Sequence, residues 1–534
     1  MEERYDYDVI VIGAGPGGLT AAAYLAAAGR RVLVADARNQ PGGHMSAFTH
    51  DGYEFDIGLH YTSEAPVRHA LGPLGVDVTF REFDPAGMFR LLNGDRELAV
   101  PKGMDAFKAT LYEAFPAEHH TIDEFLTTVE LLTEELGRIA ERPHLRELPQ
   151  LPWRLRGLLR YGRATAGGYL RHLHASPQLT TALLGWTTGS LAVAPSRLSL
   201  PVAARMIHTY LEGLSYPQGG SRVVSEGLAE VVRGHGGDVL LGTEVSRILV
   251  DDGRVRGVRT QDASLDTVPG AGREILAPAV VSAVDIQQTY LSLLPPDRVP
   301  SRLLRRVRSY ELALPLAVVY LILDRDLAAE GYPNATRLVT DTDDFDAEYA
   351  ALRAGELPSS TSAGLWIASL ADPENPRLCA PGQTNVQLIG PAPAQHTWWG
   401  ITPGSGSTAR YDARRRELRD RLVRSAERTV PGLADAIVHE ETGTPVTDER
   451  FMRCTGGVSY GPAFTPSQTF TRLGATGPVE GLFHAGAGVR PSHGLVGTLF
   501  GGVAAAAAVA GVSVDDLRDA AAAGCGAAAA GTPT

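Results

Sequence analysis

The run Val9-Ile10-Val11-Ile12-Gly13-Ala14-Gly15-Pro16-Gly17-Gly18 constrains this chain more than any other stretch. Four apolar, β-branched residues suit a buried central strand of a parallel sheet. Gly13 permits a tight turn, Gly15 lets the backbone approach a pyrophosphate, and Gly18 lets the following helix pack against the strand. That helix is expected over about Gly17 to Ala28, stopped by Gly29, with its unpaired N–H groups aimed at phosphates. A second apolar run, Val32-Leu33-Val34-Ala35, ends in Asp36, where a carboxylate accepts the hydroxyls of an adenosine ribose. Strand, turn, helix, strand and acid in this order imply a bound dinucleotide.

The 534 residues suffice for two or three domains, and a hydrophobic content of 44% is ordinary for a globular protein. A net charge of −12 argues against a nucleic-acid partner. Arginine almost wholly replaces lysine, which occurs only at Lys102 and Lys108, as coding bias in a GC-rich bacterial genome would produce. Cys379, Cys454 and Cys525 have no metal-ligand spacing, so no metal site is expected and a reducing, cytoplasmic setting fits. No signal peptide is expected, because acidic residues and then a strand open the sequence, and no uninterrupted apolar run of about 20 residues predicts a membrane span. The residues from Ala520 to the end, rich in alanine and glycine, are expected to be disordered.

Further glycine-punctuated segments follow. They are Ala37 to Met45 with Pro41-Gly42-Gly43-His44, Glu54-Phe55-Asp56-Ile57-Gly58-Leu59-His60-Tyr61, and Tyr216-Pro217-Gln218-Gly219-Gly220. A helix is expected from about Arg222 to His235, then a strand over Val239 to Val250 hairpinned through Asp251-Asp252-Gly253. Near the C-terminus, Gly481 to Pro491 and Gly494 to Gly502 repeat the order strand, glycine turn, helix. Between these lie a largely helical segment, about 66–200, and a mixed segment, about 305–445, with a strand over Ala313 to Leu323 and a charged helix over Asp412 to Arg428. The expected fold class is α/β: a Rossmann-like nucleotide domain (1–65, 201–304 and 446–519) carrying a mixed α+β substrate domain inserted in two segments (66–200 and 305–445).

Taken together, these segments resemble the phytoene-desaturase-type flavoproteins, which comprise carotenoid desaturases, carotenoid isomerases and retinol saturases within the amine-oxidase-like superfamily. The resemblance runs over nearly the whole chain and includes Thr444-Pro445-Val446-Thr447 and Tyr460-Gly461-Pro462; the Glu54 to Tyr61 run and Gly494-Leu495-Val496-Gly497 lean to the saturase branch. It implies FAD as the dinucleotide. Gly13, Gly15, Pro16, Gly17 and Gly18 would line the pyrophosphate, and Asp36, with Ala37 and Arg38 beside it, would hold the ribose. Gly42, Gly43, His44 and Met45 would pass near the pyrophosphate or flavin, Val245 would offer its backbone to the adenine, and Gly486, Gly488, Gly497, Thr498 and Leu499 would lie under the ribityl chain and ring. Ala487 departs from the family's polar residue at that place.

His60, Tyr61 and His493 are the expected catalytic residues, lining the substrate cavity and handling a proton. Tyr460 is a further lining candidate, and Cys454 is expected to be a small buried hydrophobe. The expected activity is transfer of hydride across a carbon–carbon bond of an apolar, polyene-like molecule, with a separate electron donor or acceptor. Isomerisation on reduced flavin, amine oxidation and a non-enzymatic prenyl carrier are the alternatives. Residues 153–163, Trp-Arg-Leu-Arg-Gly-Leu-Leu-Arg-Tyr-Gly-Arg, form the most basic amphipathic stretch of an acidic chain, which either lies on a membrane surface or is a solvated helix.

Overall fold

The computed structural model describes residues 5–140, 151–263, 272–340, 342–358, 361–401, 406–490 and 494–530. A five-stranded parallel sheet runs in the order Leu482–His484, Ala279–Ser282, Val9–Ile12, Val32–Ala35, Asp238–Leu240. Val9–Ile12 is central and buried on both faces, which is why its sequence is continuously apolar rather than alternating. The expected strand over Val239 to Val250 is instead two strands, Asp238–Leu240 in this sheet and Thr243–Asp251 in an antiparallel layer, broken at Gly242 with φ of 66°.

The helix Pro16–Ala27 is buried along nearly its whole length because small residues let three other helices close on it. A Cβ at Gly502 of helix Gly494–Ala510 would stand 2.4 Å from the carbonyl oxygen of Gly17. A Cβ at Gly524 would stand 2.0 Å from that of Ala27. The second contact corrects the expected disordered tail. Helix Val514–Ala530 docks through fully buried Ala521 and nearly buried Leu517, and Cys525 Sγ sits 3.5 Å from the Leu74 carbonyl oxygen. Residues 531–534 lie outside the described residues. An alanine-rich segment reads as low complexity, yet here the absence of side chains is what permits the backbones to touch.

A seven-stranded sheet runs Ile437–Gly443, Leu316–Leu323, Thr384–Pro391, Ala363–Ile367, Thr336–Thr340, Phe89–Asn93, Arg96–Val100. Its strands pair antiparallel except Thr336–Thr340 with Phe89–Asn93. The strand expected over Ala313 to Leu323 is thus Leu316–Leu323, and the expected charged helix is Ala409–Glu427. Val319, Leu321 and Leu323, with Leu365, Ile367, Val386 and Leu388, pack beneath that helix on Leu418 and Leu422. The other face, offset by one residue, presents Val318, Tyr320, Leu338, Trp366 and Ile389 to a cavity.

Packing moves the expected domain divisions. Helix Glu64–Leu71 puts Val67, Ala70 and Leu71 into the core around Pro16–Ala27. Helix Leu200–Leu211 packs in the cluster of Phe89, Phe107 and Trp186. The 66–200 segment also contains strands Phe89–Asn93 and Arg96–Val100, turned by Gly94 at φ 55°, which extend the larger sheet.

The docked C-terminal helix gives a paired test by thermal unfolding. Gly526 is exposed with open space at its Cβ, so Gly526→Ala should stabilise by up to about 1 kcal/mol through helix propensity. Gly524→Ala drives a methyl into the Ala27 backbone and should cost about 1–3 kcal/mol. Equal effects at both positions would mean that the helix does not pack as described.

Candidate functional site

The first strand ends in a turn that only glycine accommodates. Gly13 has φ of 98° and donates its N–H to the Ala35 carbonyl oxygen at 2.8 Å. The Ala14 N–H donates to Asp36 Oδ2 at 2.7 Å and the Arg38 N–H to Asp36 Oδ1 at 2.8 Å. Each carboxylate oxygen is therefore fixed by one backbone donor and keeps acceptor capacity for a ligand. Arg38 donates from Nη1 to the Gly43 carbonyl oxygen at 2.8 Å and to Ser46 Oγ at 2.9 Å, which holds the Gly42–Met45 turn beside Gly15. Among the described residues no side chain caps helix Pro16–Ala27 after Gly15, and a Cβ built on Gly15 meets nothing within 4 Å. The N-terminus of Gly494–Ala510 opens on the same space, so two helix dipoles converge there.

That space is one end of a cavity of about 1410 Å³. Gly13, Gly15, Pro16, Gly17, Asp36, Ala37, Arg38, Gly43, His44 and Met45 line it, as do Val245, Gly486, Gly488, Gly497 and Thr498. Val245 lies where the register between Thr243–Asp251 and Arg254–Asp262 slips by a residue, a bulge that disrupts the ladder beside the cavity. Three expected contacts do not line it. Gly18 is buried where a Cβ would fall 2.1 Å from the Gly13 oxygen, and Gly42, with φ of 116°, donates its N–H to the Ala14 oxygen at 2.7 Å. Leu499 is fully buried in the apolar core, facing away by one helical position from Thr498. All three shape the cradle from behind.

The cavity continues into a chamber walled by the larger sheet on one side and by helices Pro177–Leu191 and Leu200–Leu211 on the other. His60 and Tyr61 both line it. His60 Nε2 pairs with Gln387 Oε1 at 2.9 Å, and its ring meets Trp366 edge-on with centroids 5.0 Å apart. Burial pulls the imidazole down to about 4, so the ring is neutral and Nε2 is its donor. Tyr61 shares a hydrogen bond with Ser190 Oγ at 2.8 Å, and burial holds its phenol protonated. Tyr460 also lines the chamber, its phenol pushed up by burial. Cys454 lies at the wall with its thiol raised by burial and so kept from ionising. His493 lies outside the described residues.

Asp448 is a functional candidate that sequence reasoning missed. It projects into the cavity from helix Pro445–Met452, whose start is fixed by a reciprocal cap between Thr444 and Thr447. Ser459 Oγ donates to Asp448 Oδ2 at 3.3 Å, and His44 Nε2, buried without a hydrogen-bond partner among the described residues, is 4.0 Å from the same oxygen. Burial pushes the Asp448 carboxyl up to about 7 and pulls His44 down to about 4. No motif announces such an acid, because its role comes from strand Ile437–Gly443 delivering a surface-like Thr-Asp-Glu-Arg segment to a cavity wall.

The two mid-chain motifs act behind this wall. Asp56 is buried and accepts hydrogen bonds from the Ser221 N–H at 3.1 Å, Ser221 Oγ at 2.6 Å and the Tyr216 hydroxyl. Its neighbour Glu54 takes Arg377 Nε at 3.0 Å and lies 3.6 Å from Arg222 Nε. The Tyr216–Gly220 and Glu54–Tyr61 segments are thereby clamped together, which places His60 against Gln387.

This architecture is that of the flavin-containing amine oxidoreductases, and the chain belongs to that family, whose model matches residues 16–379. FAD is accordingly its cofactor, and the protein is an FAD-dependent oxidoreductase. Among curated proteins it is similar to the all-trans-retinol 13,14-reductase of Macaca fascicularis, with 26% identity across 96% of this chain and 87% of that one. It is equally similar to the chloroplastic prolycopene isomerase 1 of an Oncidium hybrid cultivar, with 27% identity across 96% and 85%. Among solved structures, putrescine oxidase bound to putrescine shares the fold with a TM-score of 0.63 and 17% identity, covering 95% of this chain and 99% of that one. Cyclohexylamine oxidase from Brevibacterium oxydans does so with a TM-score of 0.59 and 18% identity, covering 98% and 99%.

The open space over Gly15 generates a test. Gly15 has an ordinary extended φ of −72°, so Gly15→Val should fold with near-normal thermal stability while its side chain fills the cradle. Purified protein should then lack the flavin absorbance of the parent. Stoichiometric flavin in the variant would move the pyrophosphate elsewhere.

Proposed function

We propose that this protein adds or removes hydrogen across a carbon–carbon bond of an apolar, polyene-like molecule, as the names of its retinol reductase relatives indicate for them. The observation that carries this is the continuity of one cavity from a dinucleotide cradle into an aromatic and aliphatic chamber. In this reading Gly13 to Gly17 surround the pyrophosphate, Asp36, with Arg38 beside it, and Val245 hold the adenosine, and Gly486, Gly488 and Gly497 back the ribityl chain and ring. Bound FAD supplies two-electron hydride chemistry. Trp366, Tyr210, Leu338 and Ile389 exclude water and orient the extended substrate by shape. His60, held by Gln387 and neutral, positions rather than donates.

The proton at the neighbouring carbon is assigned to Asp448. Among the described residues the other carboxylates on the wall are engaged or open to solvent: Asp36 with backbone N–H groups, Glu244 with Arg453, Asp285 with the start of helix Ile286–Gln288, Glu449 with His396, and Glu212, 59% exposed, beside His208. A saturating enzyme needs the protonated acid, so its rate should fall as pH rises through about 7. A desaturating enzyme needs the carboxylate and should show the opposite limb. Asp448→Asn should lower the rate about 10²–10⁴-fold and abolish that limb while flavin stays bound. An unchanged pH profile would remove Asp448 from the reaction.

The reaction class is tested by incubating the reduced and the oxidised holoprotein with retinoids and linear polyenes and following product mass. Gain or loss of two hydrogens is expected. Unchanged mass with altered retention would make the protein an isomerase, and amine-dependent peroxide would make it an amine oxidase. In this reading electrons enter or leave through a nicotinamide donor that binds transiently or through another redox partner.

The substrate's insolubility gives meaning to residues 153–163. Trp153 is 84% and Leu159 70% exposed, beside the exposed arginines Arg156, Arg160 and Arg163, with no acidic residue in the stretch. Glu135 accepts the N–H groups of Gly157 and Leu158 at 2.9 and 2.7 Å, fixing helix Arg156–Tyr161 beside Leu136 and Gly137, which line the cavity. This face docks on an anionic bilayer next to a cavity wall. Among the described residues no single helix is long and apolar enough to cross a membrane. Co-sedimentation with phosphatidylglycerol vesicles should fall at least about tenfold on reversing the three arginines, at roughly 1 kcal/mol per charge. Equal binding of parent and variant would exclude this face.

A further inference from the structure

We propose that His50, Asp51 and His439, none of which lines the cavity, form a zinc site on the surface that is independent of the reaction assigned above. The three residues come from two elements brought together by the fold. Strands Ala47–His50 and Tyr53–Asp56 form a hairpin turned by Asp51 and Gly52, with φ of 49° and 87°, the left-handed pair that a tight two-residue hairpin turn requires. This turn sets the Asp51 carboxylate next to the His50 ring. His439 lies on Ile437–Gly443, the edge strand of the seven-stranded sheet.

The geometry is that of a ligand set. His50 Nδ1 and His439 Nε2 face each other at 3.3 Å. Two nitrogens at zinc–nitrogen distances of about 2.0–2.1 Å in a tetrahedral site are separated by about 3.3 Å. Asp51 Oδ2 is 3.9 Å from His50 Nδ1, the nitrogen that faces His439. One atom from each residue falls in a cluster no wider than 4.8 Å, so a small movement of an exposed aspartate closes the set. A water would complete four-coordination.

The surroundings favour metal over a bare imidazole pair. His439 is pre-oriented: its ring stacks on Phe55 at 15° with centroids 5.9 Å apart, packs on Tyr53 at 5.3 Å, and leaves only 10% of its side chain exposed. Glu441, two residues further along the same strand face, stands 3.6 Å from His50 Nε2. A carboxylate behind the far nitrogen holds its proton there and leaves Nδ1 as the lone-pair donor, the arrangement found around metal-bound histidines. Two imidazoles with one carboxylate suit zinc and exclude calcium or magnesium, which take oxygen sets.

Bound zinc would tie the hairpin to the edge strand. The hairpin leads on to Ile57–Tyr61, and the strand leads to the helix that bears Asp448, so the ion would brace two cavity walls from outside.

The test uses the tag-free full-length holoprotein and zinc chloride alone, by equilibrium dialysis with metal analysis and by thermal unfolding. The parent should bind one equivalent saturably, more tightly by at least tenfold than His50→Ala or His439→Ala, and should gain thermal stability that neither variant gains. His50 and Asp51 are exposed, so His50→Ala and Asp51→Asn keep the question open to refutation even if His439→Ala loosens the hairpin. Absence of saturable binding, or equal affinity in His50→Ala, overturns the proposal.

Discussion

The structure depends on a backbone contact that leaves no room for a side chain. A Cβ on Gly17 would stand 2.7 Å from the Gly486 nitrogen, and one on Gly502 would stand 2.4 Å from the Gly17 oxygen. Glycine turns from the two ends of the chain are therefore pressed together. Two helix N-termini consequently open on one cavity, where their dipoles act together on an anionic ligand. The central strand, buried on both faces, makes that convergence rigid.

A second constraint couples this cradle to the chamber beyond it. Asp56 and Glu54 are buried carboxylates satisfied by Ser221, Tyr216 and Arg377. Leaving such groups unpaired would cost about 1–3 kcal/mol each, so the Glu54–Tyr61 segment has little freedom once Tyr216–Gly220 is in place. His60 and Tyr61 then meet the alternating face of the larger sheet, where Gln387 and Trp366 receive His60. His60 and Tyr61 are tied by hydrogen bonds to Gln387 and Ser190, and Asp448, from a segment with no motif, faces the same cavity with Ser459 donating to it.

Legibility followed the range of the interactions. Asp36 and the glycines from Gly13 are legible as a dinucleotide motif because their spacing is set within about 30 residues by one strand, one turn and one helix. Gly18 packs helix on strand as its place in the motif implies, whereas Gly42 and Leu499 sit behind the cavity lining, a one-residue step on a turn or helix being enough to reverse direction. The strands Phe89–Asn93 and Arg96–Val100 hid in a segment that reads as helical, because two short strands carry little periodicity until a sheet edge receives them. The tail was misjudged for the same reason: its alanines and glycines acquire meaning only against Ala27.

By itself the sequence determined the nucleotide-binding class, through local stereochemistry that only glycine and a strand-end acid satisfy. It also determined the flavoprotein resemblance carried by motifs along the whole chain. Tertiary structure alone decided the rest. It set which face of each strand meets the cavity, that Asp448 and His44 lie side by side, that His50 faces His439, and that the last helix seals the core. These are juxtapositions of residues distant in the chain, and they exist only when packing closes the space between elements whose local sequences say nothing of one another.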